Sequence, residues 1–347
     1  MEPNMGRRLH VAAFAALGLA AFVLAAAVIA AWPTGARGGL GDILGHAEKR
    51  LGTVILTRDV LALPGENIQL QASLRSGMGV RGVEGRHVQF HLNLERMGQL
   101  VSDGDGNVSL PWKAPAAPGD YLVRVRLKPA EQPVEEGDPV AEAQLLVAVR
   151  KPDTPLVIVD MDKTVVASGF AWVMVGKAKP MPAADLVLQR LAAGHTIVYL
   201  THRPDFLGPT SKRWLTEYKF PLGPVLTSTM SGLMSGSGAY KTARLDAIRK
   251  SFPNVRLGIG DKISDARAYS ENGLRSVLIL DFDWSEDDPG DYEDMAAELA
   301  SLPDDVQVVT NWAEVSAVVF DGASHPKRQM MDRLRAAARD LRTRRRD

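Results

Sequence analysis

Two hydrophobic rhythms divide the chain near residue 150. From Gly52 to about Val149, short runs of alternating apolar and polar residues recur at Thr53–Thr57, Asn67–Leu74, Val88–Leu94, Asn107–Trp112, Tyr121–Leu127 and Ala143–Val149. A period of two is what a strand with one buried face requires. Pro64-Gly65-Glu66, the run Asp103-Gly104-Asp105-Gly106-Asn107 and Pro118-Gly119-Asp120 separate them, and residues of these types supply turns. Six or seven strands at that spacing predict an all-β, immunoglobulin-like sandwich over residues 52–150. Asp103, Asp105 and Asn107 raise the thought of calcium. The remainder of an EF-hand loop is missing, so the spacing predicts a hairpin turn.

Beyond the linker Lys151-Pro152-Asp153-Thr154-Pro155 the rhythm changes. Apolar runs at Leu156–Val159, Thr196–Leu200, Pro224–Leu226, Val255–Ile259, Ser276–Leu280 and Val306–Val309 alternate with longer segments of helical period. Those segments are Ala183–Ala193, Thr210–Tyr218, Thr242–Ser251, Ser264–Asn272, Tyr292–Ser301 and Trp312–Val319, and Gly194 and Gly273 are placed to end two of them. Strand–helix alternation predicts an α/β domain with a parallel, Rossmann-like sheet over residues 151–322. The acidic stretch Asp281–Asp294 reads as loop.

The two ends follow other patterns. Residues 1–10 form a polar N-terminal tail, and residues 11–32 are uncharged and mostly Ala, Leu, Val, Ile and Phe. Twenty-two such residues can span a bilayer, whereas a secretory h-region has about 7–15. The expectation is a transmembrane anchor, a tether over 33–51, and a single-pass protein of a bacterial inner membrane with its large domains outside the cytoplasm. The segment 323–347 is a basic tail: Lys327 to Arg346 contains eight Arg and one Lys. A solvated helix is expected there, with an anionic membrane surface as its possible partner.

Composition narrows the chemistry. Lys plus Arg and Asp plus Glu both number 41, so nothing global points to nucleic acid. There is no cysteine, which removes disulfides, thiol catalysis and zinc–thiolate sites. The sequence carries no signal for oligomeric state.

Candidate catalytic groups gather at predicted strand ends. Asp160 and Asp162, in the run Asp160-Met161-Asp162-Lys163-Thr164, follow the first strand; Thr201 follows the second; Asp261, with Asp265 four residues on, follows the fourth. Lys241 lies near the start of a helix after Ser235-Gly236-Ser237-Gly238. Parallel strands bring all these ends to one edge, where α/β sheets bind ligands. Carboxylates, a hydroxyl and an ammonium together suit a phosphoryl group with a hard divalent cation. Lys212 and Lys262 are further candidates to neutralise phosphate, Asp265 can instead orient its helix, and His202 and Arg203 can touch substrate without an assigned catalytic role.

This ordered set resembles the haloacid dehalogenase superfamily of aspartate-nucleophile phosphatases. Over about residues 155–282 the resemblance narrows. Tyr199-Leu200-Thr201-His202-Arg203-Pro204, Trp214-Leu215, Phe220 to Val225, Tyr240-Lys241 and Gly260-Asp261-Lys262-Ile263-Ser264-Asp265 resemble the catalytic domain of lipin-type phosphatidate phosphatases. The actin-patch phosphatidate phosphatase and the lipid-sensing domains of Nir-type phosphatidylinositol transfer proteins share the pattern. Lys163 departs from it where lipins carry Gly, and Asp261 where they tend to carry Asn.

The resemblance implies an enzyme acting on a phosphomonoester, with phosphatidate as the leading substrate, and a magnesium ion. It implies Asp160 as nucleophile and Asp162 as acid–base. The metal would be held by Asp160, the main-chain carbonyl of Asp162, Asp261 and Asp265, with Thr201 and Lys241 on the phosphoryl oxygens. A soluble phosphate, a phosphoprotein or phosphatidate binding without turnover are the alternatives. The spacing leaves no room for a separate cap domain. The apolar loop Phe170–Val175 either dips toward lipid or packs on the sheet.

Overall fold

The computed structural model describes residues 53–76, 81–128, 142–168, 178–229, 236–284 and 288–344. The expected anchor over 11–32, the tether and the loop Phe170–Val175 lie outside the described residues. Among the described residues no helix is long and apolar enough to cross a membrane.

The N-terminal half is a β-sandwich. One sheet contains β1 (Thr53–Thr57), β3 (Asn67–Ser76), β4 (Arg81–Gly82) and β7 (Asn107–Lys113). The other runs in the order β2 (Val60–Ala62), β9 (Glu142–Val149), β8 (Gly119–Leu127), β5 (His87–Leu92) and β6 (Glu95–Val101). Alternate residues from both sheets, among them Leu70, Leu74, Val88, Phe90, Val123, Val125, Leu145 and Val147, fill the space between them. The turn that carries the chain from β6 in one sheet to β7 in the other is closed by the Asp103 carboxylate, which accepts from the main-chain N–H of Asp105 (3.0 Å) and Asn107 (2.7 Å). Its Oδ1 thus serves the turn, which passes between the sheets instead of closing the hairpin that the spacing predicts.

The C-terminal half is a six-stranded, wholly parallel sheet. Its strands are β10 (Leu156–Val159), β11 (Thr196–Pro204), β12 (Val225–Ser228), β13 (Val255–Gly260), β14 (Arg275–Ile279) and β15 (Gln307–Val309), in the order β12-β11-β10-β13-β14-β15. Helices α1 (Ala184–Ala192), α2 (Gly208–Glu217), α3 (Ser237–Ser251), α4 (Ile263–Glu271), α5 (Pro289–Ala300), α6 (Trp312–Phe320) and α7 (Lys327–Arg344) surround it. β10 alternates between the two faces: Val157 and Val159 pack with Leu188, Trp214 and Val315, whereas Leu156 and Ile158 pack with Leu245, Ile248 and Tyr269. Burial on both sides explains its uninterrupted apolar run.

From β10 the chain moves outward to β11 and β12, then returns to place β13 on the other side of β10. The order therefore reverses between β10 and β13, and the crevice beyond their carboxyl ends is the sheet's topological switch point.

Two expectations need correction. The acidic stretch is only partly loop: Pro289 begins α5, and Asp288 caps it by accepting from the Gly290 N–H at 3.0 Å. The basic segment is the expected helix, but only its charged face is solvated. In α7, Met330, Leu334 and Ala338 are buried against α5 and its neighbours, Arg342 pairs with Glu293 at 2.6 Å, and the Arg333 guanidinium lies 4.3 Å over Trp284. The alternation of Met, Leu and Ala at helical spacing serves packing, and several arginines are spent on acidic or aromatic neighbours.

A polar anchor joins the two halves. Asp59 is almost fully buried, and one of its oxygens accepts from Lys212 Nζ (2.5 Å) and the Leu146 N–H (2.8 Å). The other accepts from the Val225 N–H at 2.9 Å. Lys212, a candidate phosphate ligand by sequence, is thereby committed to the sandwich.

Candidate active site

The switch point gathers the predicted residues. Asp160 follows β10 directly, and its N–H donates to the Ile259 carbonyl of β13 at 2.9 Å. Asp261 follows β13, and Asp265 sits in the first turn of α4. Oxygens of Asp160, Asp261 and Asp265 lie within 4.8 Å of one another. Gly260 makes this approach possible, because a Cβ there would meet Asp265 Cβ at 2.9 Å and Oδ2 at 3.0 Å.

Lys241 reaches this cluster from α3. Its ammonium is fully buried, 2.9 Å from Asp160 Oδ1 and 2.6 Å from Asp265 Oδ2. Burial alone pulls the ammonium's pKa down, but Asp160 and Asp265 outweigh it and hold Lys241 well above the ordinary lysine range.

Lys241 does not neutralise all three acids. Burial, followed by repulsion from Asp160 and Asp265, pushes Asp261 up to about 8. Burial also raises Asp265, against the opposing pull of Lys241. Asp261 Oδ1 and Asp265 Oδ1 are buried and have no hydrogen-bond partner, an arrangement native interiors normally avoid. Carboxylate donors, excess negative charge and orphaned oxygens fit a hard divalent cation, and the Asp160/Asp261/Asp265 cluster can hold one.

The Asp162 side chain turns away from that cluster. Arg203 grips it in a fork, with Nε donating to Oδ2 at 2.9 Å and Nη2 to Oδ1 at 2.7 Å. Arg203 is buried at the end of β11, and its Nη1 donates to Ser211 Oγ at 2.8 Å. Thr201, also buried on β11, accepts from the Arg203 N–H at 3.3 Å. The β10–β11 register pairs Val159 with Tyr199, so Thr201 stands level with the residues just after β10. Arg203 is the site residue that sequence reasoning left without a role. Its place two residues after Thr201 on a strand, where both side chains share a face, was the available signal.

Lys163, between Asp162 and Thr164, has a left-handed backbone with φ 56°. A non-glycine residue bears roughly 1–2 kcal/mol there, so glycine would suit this position without strain. The Lys163 ammonium pairs with Asp281, two residues beyond β14, across 2.6 Å. Thr164, the last residue of the motif, fixes the turn through its carbonyl, which accepts from Trp312 Nε1 at 2.7 Å.

Residues 157–280 match the family model described as PITM 1-3, LNS2 domain. A search of curated proteins finds no match. Among solved structures, a component of the Pnkp1/Rnl/Hen1 RNA repair complex shares 17% identity over 37% of this chain and 44% of its own, with a TM-score of 0.33. A CARDB domain from Pyrococcus furiosus shares 17% identity over 28% of this chain and 95% of its own, with a TM-score of 0.22. Overlaps of this size establish no shared activity. Residues 157–280 form an LNS2 domain of the PITM 1–3 type, a haloacid-dehalogenase-like domain of the lipin and Nir kind.

Proposed function

We propose that the C-terminal domain is a magnesium-dependent phosphomonoester hydrolase, with phosphatidate as its substrate. The observation that carries this reading is the buried Asp160, held against Lys241 beside two acids with orphaned oxygens. A lipid-binding module without turnover has no need of a nucleophile and an acid–base carboxylate on the same loop.

In the first half-reaction an Asp160 oxygen attacks phosphorus, and the phosphorus–alkoxide bond breaks. The departing oxygen takes a proton from Asp162 and leaves as an alcohol. For that step one Asp162 oxygen is released from Arg203 and carries the proton. In the second half-reaction water attacks the aspartyl phosphate, Asp162 accepts the water's proton, and the bond to Asp160 breaks to give inorganic phosphate. Arg203 holds Asp162 as the acceptor this second half requires. Lys241 and Thr201 bind phosphoryl oxygens, and Lys241 also stabilises charge in the transition state. Magnesium bound by Asp160, Asp261 and Asp265 would offset repulsion between the phosphoryl dianion and the nucleophile.

Membrane attachment through residues 11–32 is part of the same proposal and rests on the apolar run; placing the catalytic domain outside the cytoplasm rests on the translocation of long domains largely regardless of their charge.

A specific observation favours a second reading, phosphatidate binding without turnover. Both Asp162 oxygens are engaged by Arg203, and the matched family model is the one that the lipid-sensing Nir-type domains resemble. Phosphate release from phosphatidate in mixed micelles, with and without magnesium, separates the two. Magnesium-dependent release that Asp160→Asn abolishes is the expected result. Turnover of an aryl phosphate but not of phosphatidate discards the lipid, and vesicle binding with no turnover of either discards the enzyme.

A further inference from the structure

Among the described residues four cations stand at the switch point: Lys262 takes the N-cap position of α4 beside Asp261, and the other three are held differently. Lys241 and Arg203 are buried, and each is locked to carboxylates beneath or beside the nucleophile. Lys163 lies on the nucleophile's own loop, with its side chain half exposed. Its partner Asp281 is equally exposed, at 49%, and pairs this open to water are weakly held and readily exchanged. Asp281 lies two residues beyond β14 while Lys163 follows β10, so the pair crosses the intervening β13, whose end carries Asp261. The ammonium is close enough to Asp261 to feel its charge.

The backbone gives an independent observation. Lys163 occupies a left-handed conformation that glycine would adopt freely. Strain of this kind persists where the surrounding structure holds it, and it clusters at ligand sites. Its packing supplies no reason, because the side chain is exposed rather than buried.

On the reading of this site as one for phosphomonoesters, we propose that Lys163 is a substrate-binding cation. It leaves Asp281 and binds the outward oxygens of the phosphomonoester dianion, which the buried Lys241 meets from beneath. Asp281 keeps the ammonium at the mouth of the site until the ligand arrives. The recognised chemistry is a terminal phosphate, whether free or on a lipid headgroup.

The full chain with magnesium is titrated with inorganic phosphate by calorimetry. In a second arm it is titrated with phosphatidylcholine vesicles lacking or containing phosphatidate. Lys163→Gln is expected to weaken binding about tenfold. Lys163→Gly is expected to weaken it equally while its melting temperature stays level or rises. That split is one a merely structural lysine would not produce. Asp281→Asn, which frees the ammonium, is expected to bind at least as tightly as wild type.

Weakening in both arms supports recognition of the shared terminal phosphate. Weakening with phosphatidate alone assigns the lysine to the headgroup, and with inorganic phosphate alone to free phosphate. Equal affinity in wild type and both Lys163 variants overturns the proposal, as does an Asp281→Asn loss matching that of Lys163→Gln. A wild type that binds neither ligand overturns it together with the site. Wild-type binding without turnover leaves the role of Lys163 standing and removes the hydrolase reading.

Discussion

Arg203 and Asp162 meet through two parallel hydrogen bonds of 2.9 and 2.7 Å, and the guanidinium is anchored behind by Ser211. Lysine would keep the charge but not the fork. For a hydrolase, Arg203→Lys should lower kcat by roughly 10–100-fold with little change in KM, since a carboxylate held less firmly is less often aligned. Steady-state kinetics on a variant with a native melting curve checks this, and an unchanged kcat removes Arg203 from the machinery.

Lys241→Met should be more severe. The variant leaves Asp160 and Asp265 buried without their counter-ion, a change that typically destabilises by about 3–5 kcal/mol. Urea denaturation should show that loss in the absence of magnesium and a smaller one in its presence. Stability independent of magnesium would argue against a cation among these acids.

The raised pKa of Asp261 gives a signed pH dependence. A carboxyl raised to about 8 in the fold contributes stability that is full below its ordinary range and is lost as pH rises toward and through about 8. Metal-free protein should therefore lose stability across that window, while magnesium affinity rises as Asp261 gives up its proton. Melting curves over this range, with chelator and with magnesium, should converge at low pH and separate at high pH. Parallel curves would contradict the assignment.

Asp59→Ala removes the acceptor for Lys212 and for two main-chain N–H groups. Leaving these donors unsatisfied should reduce stability by about 2–4 kcal/mol. Chemical denaturation gives the value, and a change under about 0.5 kcal/mol, the size of an ordinary surface substitution, would mean that water replaces the carboxylate.

Much of this organisation could be read from the sequence because burial leaves a periodic trace. β10 is apolar throughout since both its faces are covered, and the strands around Phe90 and Val125 alternate since one face is. The convergence of Asp160, Asp261, Asp265 and Lys241 followed from parallel strands ending on one edge. Other features left no local trace. That Lys212 serves Asp59 rather than phosphate depends on two residues 153 positions apart. β2, with three residues, is too short for a period to show. The arginines of α7 looked like a solvated face because Glu293 and Trp284, which engage two of them, lie on other elements. The partner of Arg203 was hidden for the same reason, although its place two residues after Thr201 pointed to the site.

The Asp59 anchor bears on how this protein can be dissected. A cut in the five-residue linker Lys151–Pro155 looks natural on sequence. It would give one fragment with a buried acid lacking its counter-ion, and another with Lys212 and the edge-strand N–H of Val225 opened to water. Neither fragment is a faithful miniature of the parent, and assays on an excised catalytic half would measure a protein missing part of its own interior.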